Sequence, residues 1–164
     1  MSRPARGHGL VALLDATASL IADRGVGGLR IRDVAARAGL SVGSATYHFE
    51  TREDLVYAAL LRHTTRVEHL VAEHGQDAIA AVYGDRDLAL LTVELHLHAA
   101  RTGGDALDLS RRFRDAFTEY IDPSSLAVLD GAAIDCAGRH RGAPDRYRTA
   151  MGPIIDAAVT PSLP

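Results

Sequence analysis

The sequence predicts an all-helical protein in two parts: an N-terminal three-helix domain built around a helix-turn-helix, and a C-terminal helical domain. Three observations predict it. Sustained period-two alternation is absent and no Asn-Gly or Asp-Gly lies between β-branched runs, so strand and hairpin signals fail. Residues suited to burial recur instead at helical spacing, as in Leu10, Leu13 and Leu14, Thr17, Leu20 and Ile21. Glycines and prolines then interrupt these runs where helices would end.

Taken in order, Ser2 to Gly9 reads as a basic arm containing Pro and Gly, with Arg3 and Arg6 available for phosphate or a minor groove. A first helix spans about Leu10 to Arg24, and Gly25, Gly27 and Gly28 break the chain after it. The next stretch, Ile31 to Phe49, reads as two short helices. Val34, Ala35 and Ala38 recur at helical spacing, Gly39 can take the left-handed conformation that ends a helix, and Ser41 can cap the next one from about Val42. That second helix is short, and only Ala45 and Phe49 are clear core anchors. A helix with small, hydrogen-bonding side chains outward and a bracing helix across a tight turn suits insertion into a DNA major groove.

Thr51 is expected to cap a long fourth helix from about Arg52 to Glu73 or His74, stopped by Gly75. Asp77 to Tyr83 forms a short piece ended by Gly84. A helix from about Asp87 to Arg101 stripes Leu88, Leu91, Leu95 and His98, and Gly103-Gly104 ends it. Another, about Asp105 to Ile121, turns Leu109, Phe113, Phe117 and Tyr120 or Ile121 inward. Ser124 or Ser125 caps the helix that runs to about Ala137, and the last helix runs from about Pro144 to Val159.

Charge is distributed unevenly. The 164-residue chain carries a formal −3, and all 18 basic residues are arginines. Through Arg66 there are nine arginines against six acids, and beyond it nine against fifteen. Phosphate attraction therefore belongs to the first third. With 47% hydrophobic and 24% charged residues the composition is that of a globular protein. No apolar run approaches the roughly 20 residues of a membrane helix, and the N-terminus lacks the pattern of a signal peptide, so a cytoplasmic protein without membrane contact is expected. Cys136, the single cysteine, forbids an intramolecular disulfide and is expected as buried filler. No nucleotide loop, metal spacing or positioned nucleophile appears, so neither enzyme nor cofactor is implied.

Val34-Ala35, Ala38-Gly39-Leu40-Ser41, Gly43-Ser44, Tyr47-His48-Phe49 and Arg52-Glu53-Asp54-Leu55 resemble the TetR-family signature in order and spacing. The resemblance covers roughly Leu10 to Leu61; Thr92 to Arg101 and Leu129 to Gly131 resemble the family's sixth and eighth helices in pattern only. It implies a helix-turn-helix DNA-binding domain over 1–50 and a regulatory and dimerisation domain over 51–164. The function implied is a homodimeric transcriptional regulator, a repressor released from a palindromic double-stranded DNA operator by a small-molecule effector.

The resemblance also implies site roles. Arg32 would contact a base or phosphate. Arg30 stands where the family usually has a capping Ser or Thr, so a cap is lost and a cation gained. Val42, Gly43, Ser44 and Thr46 face outward on the reading helix, where Val42 and the Thr46 methyl suit a thymine methyl and the hydroxyls suit base edges or phosphate. Tyr47 and His48 would donate to phosphates, Ser41 would cap and donate to the DNA backbone, and Thr51 with Arg52 would form a phosphate clamp at a helix N-terminus.

A helix-turn-helix of this size needs two copies about 34–36 Å apart on one DNA face. Small residues permit close helix approach on the last two helices, and the resemblance implies dimerisation through Gly131, Ala132, Ala137, Ile154 and Ala158. Val56, Leu60, His63, Val67, Leu70 and His74 share one stripe of the fourth helix, so His63 and His74 interrupt a face expected to be buried. The resemblance implies a ligand cavity, with His63, Val67, His74, Leu95, His98, Phe113 and Phe117 as its residues. These histidines suit an acidic or aromatic ligand, yet their spacing lacks the His-x3-His repeat of a metal pair. The chain is short around Gly75 to Asp87, which implies a small or open cavity. Two rival readings stand beside this one: a helical ligand-binding or scaffold dimer that has lost operator binding, and a small helical enzyme using His63 or His98 with Glu94.

Overall fold

A computed structural model of the chain describes residues 6–159. Arg3 of the predicted arm lies outside the described residues, and the arm itself is shorter than expected because helix α1 begins at Arg6. Among the described residues there are nine α-helices, one 3-10 turn and no strand. They are α1 (Arg6–Arg24), the 3-10 turn Val26–Gly28, α2 (Ile31–Arg37), α3 (Val42–His48), α4 (Arg52–His74), α5 (Asp77–Tyr83), α6 (Arg86–Thr102), α7 (Gly104–Phe117), α8 (Pro123–Arg139) and α9 (Pro144–Val159). None is long and apolar enough to cross a membrane.

The chain divides into two compact units, one up to His63 and one from Thr64 onward, with α4 running from the first into the second. In the first unit α1 packs on α2 and α3. Its core holds Leu13, Leu20, Ile21, Val34, Ala35, Ala45, Leu55 and Leu60. Thr17 lies within this core because its hydroxyl donates to the Leu13 carbonyl at 2.7 Å, which satisfies a polar atom that water no longer reaches.

In the second unit α6 packs against α7 and α8, and α8 against α9. Phe113 and Phe117 are fully buried with ring centroids 5.3 Å apart, and burial of each stabilises the unit by roughly 1.5–3 kcal/mol. The short α5 contributes to this core, since Ala78, Ile79, Val82 and Tyr83 are all buried. Two helix starts differ from expectation. Asp122, not Ser124 or Ser125, caps α8, its Oδ1 accepting from the amides of Ser124 and Ser125 at 2.9 and 3.0 Å, with Pro123 first in the helix. These bonds, with that of the Ser125 hydroxyl foremost, hold the Asp122 carboxyl below its usual range. Asp85 caps α6 in the same way, so that helix begins at Arg86. Pro153 lies inside α9 and removes one amide from its ladder without ending it.

Candidate nucleic-acid interface

The turn between α2 and α3 is built from backbone chemistry. Gly39 has φ +68°, and its amide donates to the Ala36 carbonyl at 3.2 Å while the Leu40 amide reaches back to Ala35 at 2.9 Å. These two bonds form a Schellman closure, which satisfies carbonyls that the end of α2 leaves open. Two residues on, Ser41 Oγ accepts from the Ser44 amide at 3.1 Å and starts α3. Val34, Ala35 and Ala45 anchor the pair from beneath.

The exposed side of α3 carries Val42, Gly43, Thr46 and Tyr47, the last 81% exposed, while Ser44 and His48 are half-buried. Thr46 Oγ1 donates to the carbonyls of Val42 and Gly43, each at 3.2 Å. Its proton stays on its own helix, so what it offers DNA is a methyl and a hydroxyl lone pair. The Tyr47 and His48 rings meet edge to face at 5.4 Å. That contact orients both aromatics from one end of the helix.

The start of α4 carries the expected Thr51 cap with a partner that the sequence reading did not name. Thr51 Oγ1 accepts from the Asp54 amide and Asp54 Oδ2 accepts from the Thr51 amide, both at 3.0 Å, a reciprocal capping box with Asp in the usual Glu position. Arg52 was expected to clamp phosphate; its Nη1 donates instead to the Val26 carbonyl at 2.8 Å, and its Nε to Glu53 at 3.1 Å. Arg52 thus fastens α4 to the 3-10 turn. Arg30 is exposed at the N-cap of α2 with no side-chain cap bond, in agreement with the lost cap. Arg32 lies 3.4 Å from Asp33, which also faces Arg24 at 3.5 Å.

The residues expected to line a ligand cavity divide by burial. His63 is buried in the first unit, and Val67, Leu95, Phe113 and Phe117 are buried in the second, with His98 half-buried. His74 corrects the reading: its side chain is 55% exposed beside Glu73, and in the last turn of α4 burial ends at Val71. The polar cluster that the second unit does bury was missed. It joins Tyr83, His96, Ser110 and Asp130, with the Arg114 guanidinium 3.9 Å from Asp130. Three overlapping clefts of about 260, 390 and 310 Å³ run along α5 and α9, over Ala80, Gly84, Arg148, Gly152 and Ile155. None of the expected ligand residues lines them.

On α8 and α9, Gly131 is exposed and Ala132, Ile154 and Ala158 are half-buried. Ala137 is a second correction, only 5% exposed, since it shares the inward stripe of Leu126, Leu129 and Ala133. The large apolar residues that α8 leaves exposed are Val128 and Ile134, neither of them among the small residues expected at the seam.

Comparison with known proteins follows the same division. Residues 13–59 match the family model described as bacterial regulatory proteins, tetR family. Among curated proteins no sequence matches the chain. A crystal structure of a transcriptional regulator from Streptomyces coelicolor A3(2) is similar at 28% identity and TM-score 0.57, covering 96% of this chain and 100% of that one. A member of the TetR family from Streptomyces coelicolor A3 is similar at 28% identity and TM-score 0.57, over 92% and 98%. The multidrug binding protein EbrR, complexed with proflavin, is similar at 26% identity and TM-score 0.53, over 89% and 99%.

Proposed function

We propose that this chain, whose residues 13–59 match the model of the bacterial tetR regulatory family, is a repressor that binds a palindromic operator as a homodimer and leaves it when a small molecule binds. On this reading the protein is a DNA-binding transcriptional regulator and not an enzyme, which the match over 13–59 and the likeness to a transcriptional regulator support. The observation that carries the proposal is the α2–α3 pair itself: a glycine-closed turn, a serine cap and an outward face of Val42, Thr46 and Tyr47. Arg30 adds a cation, and the Thr51 hydroxyl keeps a proton for phosphate after accepting its cap bond.

Self-association is supported by the exposed stripe Ala127, Gly131, Ile134 and Gly138 on α8, spaced at helical intervals. On α9, Ala150, Pro153, Ile154, Ala157 and Ala158 form a similar stripe that the unit's own core leaves exposed or half-covered. An effector is supported by the likeness to EbrR, described as a multidrug binding protein. The clefts along α5 and α9 are large enough for a small ligand.

Footprinting on the DNA upstream of the protein's own gene, with sedimentation of the complex, tests the proposal. The expected result is two protected half-sites about one helical turn apart, bound by two chains. A tight complex of one chain on an unrepeated half-site would overturn it. The rival reading, a helical dimer without operator binding, draws support from Arg52 and Arg32 being engaged within the protein. It predicts no shift of any duplex.

A further inference from the structure

Asp33 stands between two arginines at the start of α2. It lies in the first turn of that helix, with Oδ2 3.5 Å from Arg24 Nη1 and Oδ1 3.4 Å from Arg32 Nε. Each carboxylate oxygen faces a different guanidinium, one from the last turn of α1 and one from the neighbouring residue of α2. The two arginines are 56% and 68% exposed. Both separations exceed hydrogen-bond range, and exposed pairs of this kind hold their partners weakly. A phosphate oxygen would offer the same two cations an acceptor of the same charge sign and a geometry that arginine prefers.

We infer that Asp33 is an intramolecular competitor for DNA phosphate, a specificity-independent brake on the hold of the first unit on any DNA backbone. The inference rests on the reading of that unit as DNA-binding. In the free protein the carboxylate neutralises part of the field of Arg24 and Arg32. On DNA one or both arginines turn to phosphate, and the attraction that each gives up at the Asp33 carboxylate is subtracted from the hold on the backbone. The cost is the same for every base sequence, because phosphates carry no base information. Arg30, two positions before Arg32, meets no acid among the described residues and is not held in this way.

Asp33 has a second effect of opposite sign. A carboxylate in the first turn faces the positive end of the helix dipole and stabilises α2. Loss of that role alone would weaken DNA binding, whereas loss of a phosphate competitor strengthens it.

The test uses the full chain and its D33N variant, with D33S as a second neutral substitution. Anisotropy titrations run over a salt series on the upstream duplex and on an unrelated duplex of equal length. The expected result is about tenfold tighter binding to both duplexes at low salt, with a log affinity against log salt slope steeper by about 0.9 per subunit. D33E should behave as the wild type. In an R24Q/R32Q background, D33N should give no gain. Thermal melting of each variant confirms that the fold is kept. Wild-type binding with no gain in either neutral variant overturns the inference alone, as does a gain that survives loss of both arginines. Failure of the wild type on both duplexes overturns the DNA-binding reading and this inference with it.

Discussion

The phenol of Tyr83 on α5 donates a 2.7 Å hydrogen bond to Oδ1 of Asp130 on α8, inside the second unit. Tyr147 of α9 in turn donates to the Tyr83 carbonyl at 3.0 Å. The other carboxylate oxygen of Asp130 faces His96 Nε2 at 3.8 Å from α6 and Arg114 Nη2 at 3.9 Å from α7. One side chain thus gathers four helices. Burial raises the Asp130 carboxyl above its ordinary range, against the hydrogen bond from Tyr83 and the charge of Arg114. Burial, with Arg114 adding to it, lowers His96 to about 4. At neutral pH the imidazole is therefore uncharged, and its Nδ1 shares a 2.8 Å hydrogen bond with Ser110 Oγ.

Acid should weaken this unit through His96. Its folded pKa of about 4 lies below the unfolded value of 6.5, so between these values the unfolded chain binds the extra proton. Stability is then lost as pH falls from 6.5 toward 4. At 1.36 kcal/mol per pKa unit the loss from pH 7 to pH 5 is about 2 kcal/mol. Asp130 acts in the opposite sense, since its raised pKa favours proton uptake by the folded state. His96→Gln should flatten the dependence, which urea unfolding at pH 7 and pH 5 would measure. An unchanged difference between the two pH values would contradict the buried, neutral imidazole.

Arg52 should separate charge from geometry. Arg52→Lys keeps the cation but loses the forked donor on the Val26 carbonyl, and the expected cost is about 1 kcal/mol of stability with the salt slope of DNA binding unchanged. Arg52→Ala should lose at least as much stability. Thermal melting and salt titration of both variants check this, and a stability equal to wild type in each would remove the positioning role.

Thr46→Ala should act on base preference. Its hydroxyl donates within α3, so the substitution removes a methyl contact and an acceptor, not a charge. Preference at one base pair per half-site should change by roughly 1 kcal/mol while the salt slope stays within error. Titrations against single-base variants of the operator measure it. A uniform loss across all of them would assign Thr46 to the DNA backbone.

Ile134→Glu should weaken self-association. The isoleucine is 53% exposed on a stripe of small residues, and a carboxylate there would be buried without a partner in a dimer. Sedimentation should show the equilibrium moved toward the single chain by tenfold or more, about 1.4 kcal/mol. Val128, 59% exposed on an adjacent side of α8, provides a comparison substitution.

The helical class, the α2–α3 turn and most helix ends were legible in the sequence because they depend on residues a few positions apart. Gly39 closes α2 through amides and carbonyls within five residues, and Ser41 caps α3 three residues ahead. Such chemistry is local, and residue type alone announces it. The tertiary structure decided the rest. Arg52 finds its carbonyl 26 residues away and Tyr83 its carboxylate 47 residues away, separations at which no spacing rule operates. His74 and Ala137 both sat on plausible stripes; one proved exposed and the other inward, since periodicity defines a helix face but only packed neighbours decide which part of it water reaches.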